Sequence, residues 1–239
     1  MSTAEITRLT LPPPFAQHPH PKGCVLEEAV RRAPLDGAGT FIYRIDPALV
    51  SAAVVLEPEE PLATARMAFF VGMAAIADAL AAHCAPERAV RFQFPDGLIY
   101  DKARLGGGRF VAPPDCGEAD VPQWLVFGIE LIAGRSHLTD PGHFPESTSL
   151  AEEEFDAPAA ILESFASYLM LYFDRWAHQG LGAVTERYLG RIDPPMLRGT
   201  RMIEEGDLVE RSPAGAVRRI SLLEGLAACS WRDAQGPRL

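Results

Sequence analysis

Residues 94–108 read FPDGLIYDKARLGGG, and this stretch decides the fold class more than any other part of the chain. Residues 95–97 (PDG) are turn formers, and residues 98–101 have the aliphatic and aromatic side chains of a short strand. Three consecutive glycines at 106–108 predict a second turn, in which positive φ angles are needed. We therefore expect hairpin turns between short antiparallel strands.

Further strands are predicted on both sides of this stretch. Residues 123–133 (QWLVFGIELIA) are almost entirely apolar, as is typical of a strand buried on both faces. The two earliest strands are joined by only six residues, 46–51. The predicted strands outside the central stretch are residues 40–45, 52–57, 90–94, 109–112 and 123–133.

Apolar side chains at helical spacing predict two long helices, residues 61–84 and 156–179. Shorter helices are expected at residues 24–33 and 181–189. Helices and strands follow each other without a regular βαβ alternation. The expected fold is therefore α+β, a mixed and mainly antiparallel sheet with helices packed on one face.

The two ends of the chain differ in composition from its centre. Five prolines between residues 11 and 22 predict an extended N-terminal arm, residues 1–22. The sequence Asp193-Pro194-Pro195 marks a boundary, after which residues 193–239 predict a small β-rich C-terminal domain. Residues 23–192 are then the central domain.

Charge and cysteine usage restrict the classes of partner. A net charge of -10 argues against nucleic acid and against anionic membranes. The most apolar stretch, residues 62–84, is interrupted by Arg66 and Asp78 and is not expected to span a membrane. The four cysteines lack metal-ligand spacing, and the N-terminus lacks a basic-then-apolar signal pattern, so we expect a cytoplasmic protein without a metal site.

In this order of elements, the FPDG turn followed by Lys102, Arg104 and three glycines is similar to the signature of biotin/lipoate protein ligases. The ligases have a Trp-Pro-Asn-Asp turn followed by a lysine, a hydrophobic residue, a small residue and a glycine. The similarity extends over residues 23–192, and the chain resembles a divergent, ligase-like branch of unknown function.

The resemblance implies activation of biotin or lipoate with ATP and Mg²⁺, then transfer of the acyl group to a lysine of a carrier domain. It implies that Lys102 and Arg104 are catalytic and hold the carboxylate or phosphate. The implied ligand-binding residues are Arg44, Asp96, Gly106, Gly107 and Gly108.

The chain also departs from the ligase pattern. The Asn-Asp pair is replaced by Asp96-Gly97, and the signature lysine aligns with Arg104, with Lys102 expected on the same face of a strand. Residues 46–51 contain no glycine and no basic residue, whereas the ligases have here an arginine- and glycine-rich loop over the phosphates. This difference argues against ATP as a cofactor. Residues 136–147 are a candidate lid in its place.

Three functions follow from these observations. The first is a ligase or acyltransferase acting on a carrier-protein lysine. The second is a non-catalytic binder of a small carboxylic acid, and the third is an interaction module that uses the N-terminal arm and the C-terminal residues. The related octanoyltransferases carry the acyl group on a cysteine; Cys116 is the nearest candidate here, although nothing around it in the sequence would lower its pKa.

Overall fold

The computed structural model of the protein describes residues 7–239. Its centre is a seven-stranded sheet in the order β1-β2-β3-β7-β6-β5-β4, in which β1 is parallel to β2 and all other neighbours are antiparallel. The strands are β1 (Ala16–Pro19), β2 (Thr40–Ile45), β3 (Leu49–Leu56), β4 (Val90–Gln93), β5 (Gly97–Tyr100), β6 (Ala103–Val111) and β7 (Leu125–Ile132). The expected α+β fold with a mixed, mainly antiparallel sheet is confirmed.

Helices cover both faces of this sheet, so the prediction that they pack on one face is wrong. They are α1 (Val25–Asp36), α2 (Leu62–Ala65), α3 (Ala68–Ala82), α4 (Pro158–Gln179) and α5 (Gly182–Leu189). Side chains of β2, β3 and β7 point alternately to the two sides. Phe41, Val54 and Phe127 face α3 and α4, whereas Ile42 and Val55 face α1. Both sides of the sheet are apolar, and each therefore needs a covering layer.

Helix α3 is the central helix of the fold. The stretch Leu62–Ala82 is long and apolar enough to cross a membrane by length and composition, but 83% of its most apolar 18-residue window is buried inside the fold. Its one buried carboxylate, Asp78, accepts hydrogen bonds from Tyr172 of α4 and from Arg187 and Arg191. The apolar character of this stretch is explained by its burial.

The proline-rich arm adds a strand at the sheet edge. Residues Ala16–Pro19 pair in parallel with Thr40–Tyr43, in agreement with an extended arm lying on the body. The part of the predicted arm before residue 7 lies outside the described residues.

The triple glycine is not a turn, and that prediction is wrong. The hairpin between β5 and β6 turns at Asp101 and Lys102, which have positive φ angles of 46° and 70°. Gly106, Gly107 and Gly108 lie inside β6, just after a bulge at which β5 and β6 change register. The turn needs only two residues, so the glycines serve the close approach of other groups to the strand.

The C-terminal residues form a second, three-stranded sheet and then return to the first. The added elements are β8 (Thr200–Glu204), β9 (Asp207–Arg211), β10 (Val217–Ile220), α6 (Leu222–Ala228), β11 (Arg232–Asp233) and β12 (Gly236–Pro237). We call residues 229–239 the tail, and the sheet face that carries both α1 and the tail the tail face. The division into domains at residue 193 stays a prediction.

Candidate functional site

Four residues form a row across the tail face, one from each of four adjacent strands. Arg44 of β2 is paired with Ser51 of β3, Ser51 with Glu130 of β7, and Glu130 with Gly107 of β6. Paired residues in an antiparallel sheet point to the same side. The row therefore brings a cation, a hydroxyl group, a carboxylate and a side-chain-free position onto one face.

Glycines on this face allow other parts of the chain to approach the backbone closely. A Cβ at Gly107 would lie 2.3 Å from a ring carbon of Trp231, and a Cβ at Gly128 would lie 2.8 Å from Cδ1 of Leu26 in α1. These distances are below any that a real Cβ makes. Trp231 and Leu26 thus fill the space that the missing side chains of Gly107 and Gly128 leave on this face.

The tail is fastened to the row by an ion pair. Glu130 is 8% exposed, and its carboxylate accepts a hydrogen bond of 3.0 Å from Nε of Arg232. Arg109, which also points to this face, lies 3.9 Å from the same carboxylate. Two guanidinium groups therefore share one buried carboxylate.

Arg104 contacts the tail at a second point. Its guanidinium donates a hydrogen bond of 3.1 Å to the carbonyl oxygen of Arg238. Its Nε atom is buried and finds no hydrogen-bond partner within residues 7–239. A buried N–H group of a cation without an acceptor is costly, so this atom marks a place where an anion would be stabilised.

Asp96 lies beneath the tail, in the turn between β4 and β5. Burial raises the pKa of its carboxyl group to about 6, and the Trp231 and Cys229 side chains beside it offset part of that rise. Nε1 of Trp231 is nevertheless outside hydrogen-bond geometry with any group of residues 7–239. The Asp96 carboxyl group therefore changes its charge near pH 6, close to Gly107 at one end of the row.

The cysteines near this region are not activated. Burial raises the pKa of the Cys229 thiol to about 11, and the nearby Asp96 carboxylate adds to the rise. Burial and the adjacent Asp120 raise the pKa of Cys116 above its ordinary value as well. Neither thiol is a ready thiolate at neutral pH, as the sequence around Cys116 suggested.

The structure brings most of the predicted site residues together beneath the tail. Asp96 and Gly108 are joined by a backbone hydrogen bond of 2.8 Å, and Arg104 and Gly107 each contact the tail. Arg44 lies at the other end of the row, where it pairs with Asp46 and donates to the carbonyl oxygen of Gly23.

Lys102 is separate from this group. It is exposed in the β5–β6 turn rather than in a strand, so the expectation that it points to the same strand face as Arg104 is wrong. The bulge in β6 is what places Arg104 on the tail face together with Gly107.

The proposed lid loop, residues 136–147, ends beside Arg104. The backbone N–H of Arg104 donates to the carbonyl oxygen of Glu146, and Thr148 donates back to Arg104. Arg135 anchors the base of the loop through Glu152 and Ser147. The loop therefore borders the candidate site; its action as a lid stays a prediction.

Sequence reasoning missed Glu130, Arg109 and the tail. Glu130 had a signal, because it is the one charged residue in the apolar segment LVFGIELI. Arg109 directly follows the triple glycine. No local pattern pointed to Trp231 and Arg232, because they lie more than 100 positions along the chain from Gly107 and Glu130, which they contact.

Little space remains at the row. The cavity left between α1 and the row has a volume of about 10 Å³, about enough for a single water molecule. The connection between β2 and β3 is only Asp46-Pro47-Ala48, closed by a hydrogen bond from Asp46 to Leu49. This cavity is far smaller than a nucleotide, and among the described residues the β2–β3 connection is too short to form a loop over phosphates.

Two larger cavities lie away from the predicted residues. A groove of about 780 Å³ is bordered by α4 and by the acidic residues Glu57, Glu59 and Glu60. A second, of about 490 Å³, lies beside His83 and the first half of α4. Within residues 7–239 no group of three or more His, Cys, Asp or Glu side chains is arranged to hold a metal ion.

Comparison with known proteins supports the resemblance at the level of family and fold. A model of the biotin/lipoate A/B protein ligase family matches residues 11–190. A biotin protein ligase-like protein of unknown function from Silicibacter sp. TM1040 is 26% identical, with a TM-score of 0.76, over 92% of this chain and 99% of that one. No curated protein matches.

Two solved biotin protein ligases share the fold at lower identity. The apo enzyme of Aquifex aeolicus is 11% identical, with a TM-score of 0.63, over 86% of this chain and 96% of that one. The Leishmania major enzyme in complex with biotinyl-5-AMP is 16% identical, with a TM-score of 0.53, over 88% and 99%.

Proposed function

The chain belongs to the biotin/lipoate A/B protein ligase family, and on that premise we propose that it binds a small carboxylic acid of the biotin or lipoyl type on its tail face. The unpartnered Nε of Arg104 carries this proposal. A carboxylate there would accept the missing hydrogen bond from this guanidinium group.

The proposed binding residues are Arg104 and Arg109 for the carboxylate, with Asp96 beneath them and Gly107 giving access to backbone. Gly106 and Gly108 do not open onto this face, because a Cβ at Gly106 would meet the carbonyl oxygen of Glu130 and a Cβ at Gly108 would meet Met73 of α3. Arg44 would contact the far end of the ligand, along the row. A solved structure of the Aquifex aeolicus ligase holds biotin, which supports an acid of this class.

The tail must leave the row before an acid can enter. Trp231 stands over Gly107, and the residual cavity is too small for any organic acid. Displacement of the tail would remove Arg232 from Glu130 and would uncover Gly107. We therefore propose that the acid and the tail compete for binding to the same face.

Acyl transfer to a carrier-protein lysine is the second candidate function, and family membership favours it. An Aquifex aeolicus ligase has been solved with biotin and ATP. Because the β2–β3 connection of this chain does not fit ATP, the acid would have to arrive already activated. We place either function in the cytoplasm, in keeping with four cysteines that are all free thiols.

Calorimetric titration with biotin, lipoate and octanoate tests the binding proposal. We expect the Trp231→Ala variant to bind one of these acids at least tenfold more tightly than the natural chain. In that background Arg104→Ala should weaken binding at least tenfold, whereas Arg31→Ala, which changes an exposed arginine of α1, should not. Absence of binding to all three acids in both proteins would overturn the proposal.

Incubation with a biotinyl or lipoyl adenylate and a carrier domain tests transfer. A labelled carrier lysine, formed faster than in a reaction without the protein, is the expected result. Equal labelling in both reactions would remove the second candidate and leave acid binding standing.

A further inference from the structure

A serine, a histidine and an aspartate are aligned on the side of the molecule opposite the tail. His83 Nε2 lies 2.7 Å from Oγ of Ser164, and His83 Nδ1 lies 2.9 Å from a carboxylate oxygen of Asp156. Both distances are those of good hydrogen bonds. A hydrogen-bonded chain thus links a nucleophile, a base and a group that orients the base.

The backbone holds this arrangement in place. His83 ends α3, and Asp156 precedes α4, where its N–H donates to the carbonyl oxygen of His83. The triad therefore joins two packed helices, with His83 at the end of α3 between Asp156 and Ser164 of the α4 segment. The histidine side chain is only 16% exposed, which limits its freedom to rotate.

The two contacts suit one tautomer of the neutral His83 ring. A carboxylate accepts, so Nδ1 of His83 donates to Asp156. The lone pair of the neutral ring is then on Nε2, where it accepts the hydroxyl proton of Ser164. This is the pattern in which a histidine acts as a general base toward a serine.

Ser164 opens onto the cavity of about 490 Å³, which is lined in part by Thr10, Ala160, Tyr168 and Leu171. The cavity is large enough for a small ester, and its lining combines apolar and hydroxyl side chains with the carboxylate of Glu163. Tyr168 lies one helical turn after Ser164 on the same face of α4. Tyr168 also lines the cavity, and its hydroxyl is therefore a candidate donor to a developing oxyanion.

We propose that Ser164 is a nucleophile that accepts the acyl group of small, uncharged esters. Oγ forms a bond to the carbonyl carbon while its proton passes to Nε2 of His83. The ester C–O bond then breaks, and the alcohol leaves with that proton. Water attacks the acyl-serine in a second step, releasing the acid and restoring Ser164.

The charge around the cavity selects the substrate class. Glu163 lines it, and Asp156 is 68% exposed at its side. Two carboxylates repel anionic acyl donors such as adenylates and acyl-coenzyme A thioesters. Uncharged esters of short acids are therefore expected to react, which separates this site from the acid-binding tail face.

Labelling of the full chain with a fluorophosphonate, followed by peptide mass spectrometry, tests the proposal. The expected adduct is on Ser164 and is absent from Ser164→Ala. His83→Ala should slow labelling about 100-fold or more. Ser167→Ala is the matched control, because its hydroxyl donates to a carbonyl of its own helix, and it should label at the natural rate.

Asp156 acts through His83 and is a positioning residue. Asp156→Ala should slow labelling, and Asp156→Glu should restore part of the rate, which a purely structural contact would not do. Hydrolysis of p-nitrophenyl acetate by the same variants should follow the same order, with Tyr168→Phe slower than the natural chain.

Absence of the adduct on Ser164, or equal labelling of Ser164 and Ser167, would overturn the proposal and leave a structural tie between α3 and α4. Melting curves of each variant separate loss of reactivity from loss of the fold. Arg104→Ala should label normally, so failure at this site and failure at the tail face are distinguishable.

Discussion

The indole ring of Trp231 occupies the space over Gly107 that any other residue at position 107 would need for its Cβ atom. Trp231 is 1% exposed and is among the largest fully buried side chains of the described residues. While the tail is bound, the Trp231 ring therefore fills the space over Gly107, and no ligand or other side chain can enter it.

Gly107→Ala is expected to push the tail off the sheet. The new methyl group would meet both the Trp231 ring and the carbonyl oxygen of Asp96, and backbone yields less readily than the tail. Limited proteolysis should then cleave within residues 229–239, and tryptophan fluorescence should shift to the red. Gly182→Ala in α5, where nothing lies within 4 Å, is the control and should leave the tail protected. An intact tail in Gly107→Ala would contradict the contact.

Glu130 and Arg232 should be energetically coupled. Because their pair is largely buried, a double-mutant cycle with Glu130→Gln and Arg232→Ala should give a coupling of about 1–3 kcal/mol in the free energy of unfolding. Urea denaturation measures each corner of the cycle. A coupling below about 0.3 kcal/mol would mean that Arg109 alone satisfies the carboxylate.

Asp96 should make stability depend on pH. Its pKa in the fold is about 6, above the ordinary value of 3.8, so between these values the folded chain binds the proton more tightly than the unfolded chain. Its contribution is complete below about pH 4 and is lost as the pH rises through 6, a change of about 3 kcal/mol. Asp96→Asn should lack this loss.

Comparison of the natural chain with Asp96→Asn in urea at pH 4, 5, 6 and 7 isolates this effect from other carboxyl groups. The difference in unfolding free energy should grow in favour of the variant as the pH rises. Parallel curves for the two proteins would show that Asp96 is solvated rather than buried.

Asp78 should be the most costly polar residue to remove. It is 4% exposed and receives hydrogen bonds from Tyr172, Arg187 and Arg191, so Asp78→Ala removes the carboxylate that all three donors share. We expect a loss of about 3–5 kcal/mol in the free energy of unfolding. Arg187→Ala, whose side chain is 54% exposed, should cost about 1 kcal/mol or less.

Arg104 and Lys102 should behave differently in acid binding. In the Trp231→Ala background, Arg104→Ala should lose about 1.5 kcal/mol or more of binding free energy, which is at least a tenfold weaker dissociation constant. Lys102→Ala should bind as tightly as its parent, because the lysine is exposed in the turn. Calorimetry with the same acid measures both, and equal losses would place Lys102 at the ligand.

The sequence contained enough local information for most elements and too little for the site. Residues 123–133 were expected as a buried strand, and the structure has Leu125–Ile132. The glycines at 106–108 could not be interpreted correctly, because a glycine in a turn and a glycine beneath a packed ring have the same local pattern. The ring itself, Trp231, is 124 positions away.

Because the tail follows all seven strands of the main sheet in the sequence, it is synthesised after them. All seven strands of the main sheet are complete by residue 132, about 100 residues before Trp231 leaves the ribosome. Each new molecule can therefore assemble its sheet with the glycine-lined face still bare. Small molecules in solution can therefore contact that face before the tail has been synthesised and competes for the same place.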